Sequence, residues 1–228
     1  MPTKRRDALV VALAVATGGM DAMGFIAMGG VFASVMTGNL VLLGVSVGHR
    51  SGSLADHVGV ALGGFVIGVV AGVLVAGRPG GDRPTWPARV TAALVVELAL
   101  ITGVTAGWEL VGGHPAADAQ LLLLGLAAMA MGIQSAAVRS LADPGLSSTY
   151  MTGTLTGLVG AVAAGEGPAG QGRNLAVIAA LVLGAAVAGV LVVETPRAAP
   201  AVSLAALGAV IVTAAVTGRR AVGGGPAG

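Results

Sequence analysis

Val35-Met36-Thr37-Gly38-Asn39-Leu40 recurs in the second half of the chain as Tyr150-Met151-Thr152-Gly153-Thr154-Leu155. Each copy sits at the centre of an apolar stretch, residues 30–48 and 146–164, that is long enough to span a bilayer yet carries Thr, Ser, Asn and Gly in its middle. The copies do not stand alone. Gly19-Met20-Asp21-Ala22 aligns with Gly132-Ile133-Gln134-Ser135, and Val70-Ala71-Gly72-Val73-Leu74 recurs as Val187-Ala188-Gly189-Val190-Leu191. The three offsets are 113, 115 and 117 residues in chain order, a near-constant spacing that indicates internal duplication, with repeats at 7–111 and 117–218.

Around these landmarks lie six predominantly apolar runs, Ala8–Met28, Val58–Ala76, Ala88–Gly107, Ala119–Val138, Leu175–Val193 and Ala201–Thr217. A hydrocarbon core about 30 Å thick needs about 20 helical residues, and each run is close to that length. Composition points the same way: 55% of the 228 residues are hydrophobic and only 10% charged, against about 25% charged in a soluble domain. The joints, such as RPGGDRPTWP at 78–87 and GGHPAAD at 112–118, leave no room for a soluble domain, so 1–228 reads as one integral membrane domain. The last residues, 219–228, read as a disordered tail. Lys4-Arg5-Arg6 before an apolar run resembles the start of a secretory signal, but the run continues to Met28 and has a counterpart deep in the chain, so a retained span is expected.

Charge distinguishes two topologies, since Lys and Arg accumulate on the cytoplasmic side of short loops. If all eight apolar stretches cross, the twelve basic residues divide seven against five. If the two Met-Thr-Gly stretches dip in and return, ten lie on one side and only Arg50 and Arg197 on the other. The second arrangement is preferred. It predicts an all-α polytopic helix bundle with six spans plus two re-entrant or broken segments. Three crossings per half make it a two-fold inverted internal repeat, with both termini cytoplasmic. Inverted repeats are common among transporters, whose sites lie near the midplane on broken helices.

Non-helical backbone at membrane depth is tolerated where it lines a cavity or is covered by protein. Thr37, Gly38, Asn39, Thr152, Gly153 and Thr154, with Gln134, are therefore the candidate substrate-binding residues. Free N–H groups at the start of a half-helix there would favour an anion or the negative end of a polar solute. The alternative is that their polar groups hydrogen-bond neighbouring helices. Asp21 and Glu97 are intramembrane carboxylates, each costing about 2.5–3.5 kcal/mol at the centre of a span, and are the candidate proton-coupling groups. Asp21 has a structural alternative, the capping of a broken helix. Gln134 sits at the corresponding depth of the second half, whereas Glu97 has no acidic counterpart in the last span. Every Arg and Lys falls in or near a loop, so a buried salt bridge is not expected.

Gly64, Gly68 and Gly72, with Ala180, Gly184 and Ala188, form small-residue faces that pack helices within the bundle or between subunits, which allows a homo-oligomer. His49, Asp56, His57 and His114 are spaced irregularly, and no metal site is expected from them. No cysteine is present, which excludes disulfides and thiol chemistry. A net charge of +2 without a basic stripe excludes nucleic acid. No catalytic triad, nucleotide or phosphate-loop signature occurs, so the chain reads as a non-enzyme without cofactor whose partners are membrane lipid and an unknown small solute or ion.

The stretches GGMDAMGF, FASVMTGNLVLLG, GIQSAAVRSL and TYMTGTLTGL resemble the signature segments of the YoaK-type family of bacterial integral membrane proteins, domain of unknown function 1275. The copy with Asn39 matches the family form closely, whereas the second departs from it at Thr154. The resemblance covers almost the whole chain and implies a polytopic inner-membrane protein. It supplies no catalytic residue to carry over. From the residues themselves the leading expectation is a permease or channel for a small polar solute or ion, proton-coupled through Asp21 and Glu97. The other reading is a non-transporting scaffold or regulatory subunit that packs through its Gly-rich faces.

Overall fold

The computed structural model describes residues 3–77, 86–141, 151–165 and 171–223. Among the described residues eight α-helices follow one another: α1 (Thr3–Ala27), α2 (Met36–Gly48), α3 (Gly52–Ala76), α4 (Ala88–Leu110), α5 (Ala117–Arg139), α6 (Met151–Ala163), α7 (Gly172–Glu194) and α8 (Ala201–Gly223), with a 3₁₀ turn at Pro196–Ala198 before α8. Six are long and apolar enough to cross a membrane, and all six coincide with the runs read from the sequence. The 13-residue helices α2 and α6 carry the two Met-Thr-Gly motifs at their starts. Each is about 20 Å long, short of the roughly 30 Å hydrocarbon thickness.

Helix ends depart from expectation where capping overrides hydropathy. α3 begins six residues before Val58 because the Ser51 hydroxyl accepts the Leu54 N–H at 3.4 Å, drawing Asp56 and His57 into the helix. α8 runs on to Gly223, so the helix overlaps residues 219–223 of the expected tail. Arg, Ala and Val sustain a helix, and no breaker occurs before Gly223. Residues 224–228 of that expected tail lie outside the described residues.

Chain direction follows from contacts at the two ends of the bundle. At one end Arg173, opening α7, lies 3.9 Å from Asp7 in α1. At the other, a Cβ on Gly29, just past α1, would fall on the ring of His57 in the second turn of α3. The same ring lies 3.3 Å from Gln120 in the first turn of α5. Trp108, in the last turn of α4, donates its indole N–H to the Pro196 carbonyl at 2.7 Å, so α4 ends where α8 begins. The chain thus leaves α1 and enters α3 at a single end, and α2 is a hairpin-like excursion from it. Likewise α5 ends and α7 begins at the opposite end, with α6 between them. Lys4, Arg5, Arg6, Arg89, Arg139 and Arg173 gather at the end that holds the N-terminus, and Arg50 and Arg197 occupy the other.

Packing partners are exchanged between the halves. α1 packs most extensively on α7 and then α8, while α5 packs on α3 and then α4; α2 lies on α3 and α6 on α7. The closest approaches occur where glycine removes the side chain. A Cβ on Gly18 would strike the Leu181 carbonyl, and one on Gly184 the Val15 carbonyl, both in the α1–α7 crossing. In the α3–α5 crossing, a Cβ on Gly132 would strike the Phe65 carbonyl and one on Gly68 the Met129 carbonyl. A shift of 114 residues from α1 to α5 and of 116 from α3 to α7 carries each of these contacts onto its counterpart. The buried face of α4, through Val90, Leu94, Glu97 and Ile101, recurs in α8 as Ser203, Leu207, Val210 and Ala214.

This correspondence corrects the sequence alignment by one residue in two places. Gly72 pairs with Ala188 rather than Gly189, and Asp21 pairs with Ser135 rather than Gln134. One residue turns a helical side chain by about 100°, so the correction moves Gln134 onto a different face from that of Asp21. Two interlaced groups result, α1 with α6, α7 and α8, and α5 with α2, α3 and α4. They meet mainly through α1 against α5 and α4 against α8. α1 and α5 are the central helices, with 67% of their most apolar stretch inside protein against 22–33% for the other four spans.

Candidate functional site

Between α1 and α2 the backbone at 28–35 is non-helical and must find partners within the protein. Asp21 supplies two of them. Its Oδ1 accepts the Ser34 N–H at 2.7 Å and its Oδ2 accepts the Ser34 hydroxyl at 2.5 Å. Asn39, in the first turn of α2, clamps the same segment from the other side: its Oδ1 accepts the Phe32 N–H at 3.0 Å and its Nδ2 donates to the Phe32 carbonyl at 2.7 Å. The Phe32 ring stacks on Phe25 of α1 with centroids 5.0 Å apart. The turn itself needs Gly29 and Gly30, at φ +91 and +76, because a side chain in that conformation is strained.

The Asn39 amide of the first motif is therefore spent on the motif's own loop. Asn39 is fully buried, Thr37 is exposed and Gly38 half-buried against Val35 and Phe32. Replacing Asn39 by leucine is expected to leave both polar groups of the Phe32 peptide unpaired, at about 1–3 kcal/mol each. Thermal unfolding of the purified variant measures the loss, and Asn39→Asp, which keeps an acceptor for the Phe32 N–H, should lose less.

The second motif is placed differently. α6 has no fully buried residue; Thr152 and Gly153 are exposed and Thr154 is half-buried. Met151 packs against the small cluster of Ala14, Val177 and Ala180. Residues 142–150, which include the start of the expected second re-entrant stretch, lie outside the described residues. α2 and α6 belong to different helix groups and are not packed on one another. The structure thus does not assemble Thr37, Gly38, Asn39, Thr152, Gly153 and Thr154 into the single solute site that the sequence suggested. The reason is visible at Asn39, whose amide serves the loop that carries it.

The interior holds another set of polar groups. Gln134 of α5 donates Nε2–H to Thr17 Oγ1 of α1 at 2.6 Å and faces the Leu13 carbonyl at 3.5 Å, while the Thr17 hydroxyl donates to Leu13 O at 3.1 Å. This is the polar link across the α1–α5 contact. The Gln134 Oε1 is buried without a hydrogen-bond partner. Glu97, on the buried face of α4, is fully enclosed, and neither carboxylate oxygen has a partner. The described basic residues lie toward the two ends of the bundle, away from the middle of α4. Thr17 and Ser34 were missed by sequence reasoning. Thr17 lies one helical turn before Asp21, a spacing that could have drawn attention to it. Ser34 offers no such signal, because its pairing with Asp21 spans 13 residues of irregular chain.

Among the described residues no group of three or more His, Cys, Asp and Glu side chains could share a metal. The His57 ring nitrogens face Ser53 O at 2.7 Å and Gln120 Oε1 at 3.3 Å, and His114 Nδ1 faces Gly112 O at 3.2 Å. His57, expected in a loop, serves to tie the start of α3 to α5.

Comparison with known proteins gives two matches. The family described as a protein of unknown function (DUF1275) matches residues 9–215. A transmembrane protein of Bacillus subtilis (strain 168), described as UPF0700 transmembrane protein YoaK, is 36% identical over 154 residues, which cover 68% of this chain and 66% of the relative, just under two thirds of its length. No solved structure matches.

Proposed function

The chain belongs to the DUF1275 family of proteins of unknown function, and from that premise we propose that it is a multi-pass permease or channel for a small polar solute or ion. The observation that carries this reading is Glu97, a carboxylate fully enclosed in an apolar bundle with neither oxygen partnered. An ionisable group at that depth is costly to keep, and such groups commonly mark ion pathways and proton relays. Glu97 takes the proton-coupling role. Asp21, accepting twice from Ser34, takes the structural one of holding the non-helical segment.

The exchanged packing supports a two-body mechanism. Counterpart helices α1 and α5 run in opposite directions, and so do α3 and α7, the arrangement of an inverted repeat. Each glycine-locked crossing joins helices from different halves, so the moving bodies are the two interlaced groups rather than the two halves of the sequence. Their contact across α1–α5 and α4–α8 includes the helices of Thr17, Gln134 and Glu97. The end rich in Lys and Arg is assigned to the cytoplasm of a bacterial inner membrane, with both termini there. The scaffold reading invoked Gly-rich faces free for a partner, but Gly64, Gly68, Gly72 and Gly184 are covered by neighbouring helices of the bundle.

Proton movement in liposomes tests the proposal. With the purified protein and an internal pH dye, at least one of a panel of small polar solutes is expected to provoke proton flux, and Glu97→Gln is expected to reduce it by about tenfold or more, the equivalent of about 1.4 kcal/mol. Absence of any solute-dependent flux through the wild-type protein would overturn it.

A further inference from the structure

His57 is buried in the second turn of α3, at the end of the bundle opposite the one rich in Lys and Arg. Both of its ring nitrogens meet oxygen. Nδ1 lies 2.7 Å from the Ser53 carbonyl, one turn back, and Nε2 lies 3.3 Å from Gln120 Oε1 in the first turn of α5. The Gln120 amide is held in that orientation because its Nε2–H is donated to the Pro115 carbonyl at 3.0 Å; turned over, its oxygen would face another oxygen. A neutral imidazole has one N–H and can serve one of these two acceptors, whereas the imidazolium has two and serves both. The ring also backs onto the turn after α1, where it fills the space that a Cβ of Gly29 would need.

The internal repeat puts a permanent cation at the corresponding position of the other half. The shift of 116 residues that carries α3 onto α7 carries His57 onto Arg173, which lies 3.9 Å from Asp7 of α1. One glycine-locked crossing thus ends in a guanidinium beside a carboxylate, and the other in an imidazole between two neutral acceptors. The charged and titratable residues on the elements around His57 are Asp56 of α3 itself, His49 and Arg50 between α2 and α3, Glu109 at the end of α4, His114 before α5 and Asp118 in its first turn; the segment 28–35 has none. All six are exposed, and among the described residues no ion pair includes His57. The positive ends of the α3 and α5 dipoles work against a charge there. A cation at His57 therefore depends on its two hydrogen bonds, and on the medium to supply its proton.

We propose that His57 is an acid-sensitive clasp. As the imidazolium it ties the start of α3 to the start of α5 and backs the Gly29 turn. The Ser53 bond is the shorter, so when a proton is lost to solvent Nδ1 keeps its hydrogen, and the bare Nε2 is left facing Gln120 Oε1, acceptor against acceptor. The bond given up is the one between helices. Stabilisation by the clasp is therefore present in acid and disappears as the pH rises, while the middle of the α3–α5 crossing, where Gly68 lies on Met129, stays closed. The clasp stands apart from Glu97 and does not depend on the movement of any solute.

Hydrogen–deuterium exchange of the detergent-purified full chain at about pH 5.5 and about pH 8, corrected for the intrinsic pH dependence of exchange, tests the clasp. Peptides covering residues 25–32 and 114–121 are expected to exchange about threefold or more faster at the higher pH, while those around Gly18 and Leu181 keep one rate. His57→Phe, which has no ring N–H, is expected to exchange fast at both pH values. Gln120→Glu, which sets a carboxylate opposite Nε2, is expected to keep exchange slow to a pH about one unit higher. Gln120→Leu removes the acceptor and is expected to abolish the response, which keeps the test decisive if His57→Phe does not accumulate. Equal exchange of the wild type at the two pH values, or equal acceleration of every peptide, would overturn the inference. So would a wild-type response in His57→Phe or Gln120→Leu, which would assign it to another group such as His49 or His114, or an unmoved response in Gln120→Glu.

Discussion

Replacing Gly68 by leucine is expected to prevent the chain from accumulating as a folded membrane protein. A Cβ at Gly68 meets the backbone of Met129, and Gly132 one turn further along α5 meets the backbone of Phe65 and Val69 in return. Neither helix can relieve the clash by changing a rotamer, because the obstructing atoms are main chain. Ordinary overpacking costs about 1–3 kcal/mol. Here the whole α3–α5 crossing must separate, so a loss above about 3 kcal/mol is expected. Gly184→Leu should behave alike through the Val15 carbonyl of α1. Gly63→Leu, a position with open space around it on the same helix, should remain close to wild type. The monodisperse fraction in size-exclusion chromatography and the thermal midpoint measure the difference; equal behaviour of Gly68→Leu and Gly63→Leu would refute the packing argument.

Asp21→Ala has the second large effect. It removes both acceptors from Ser34 and strands a backbone N–H at membrane depth. Hydrogen bonds to charged groups contribute about 1.5–3 kcal/mol each, so a loss of about 3 kcal/mol or more is expected. Ser34→Ala keeps the backbone bond to Asp21 and should lose roughly half as much. Because the two residues act on each other, the double variant should be no worse than Asp21→Ala alone. The released segment should also become more reactive: a cysteine at exposed Val35 is expected to label faster with maleimide in the Asp21→Ala background. Additive losses, with no change in labelling, would remove Asp21 from its role as the anchor of this loop.

The six spans were legible because bilayer thickness sets a length that an apolar run either meets or misses. The polar centres of 30–48 and 146–164 likewise marked the two short helices. Charge counting gave the division of Arg50 and Arg197 from the other basic residues, and the helix ends reproduce it for Lys4, Arg5, Arg6, Arg89, Arg139 and Arg173. What could not be read was which helix faces which. Gly68 and Gly184 announced close packing, but their partners, Met129 and Val15, carry no signal of their own. Asn39 and Asp21 were legible as costly polar groups, not as clamps on Phe32 and Ser34, since those pairings are made through main-chain atoms that any residue supplies. That no cation would stand beside Glu97 was legible, because every Lys and Arg lies in or near a loop; that no hydroxyl or amide reaches it was not.

Cysteine labelling tests the central claim most directly, since the chain has no native thiol. Ser51→Cys lies between α2 and α3, and Gly172→Cys opens α7. With an impermeant maleimide applied to sealed, oriented vesicles, the two positions are expected to react from opposite faces of the membrane. Reaction of both from the same face would mean that α6 crosses the bilayer, and it would contradict the bundle of six spans with two returning segments.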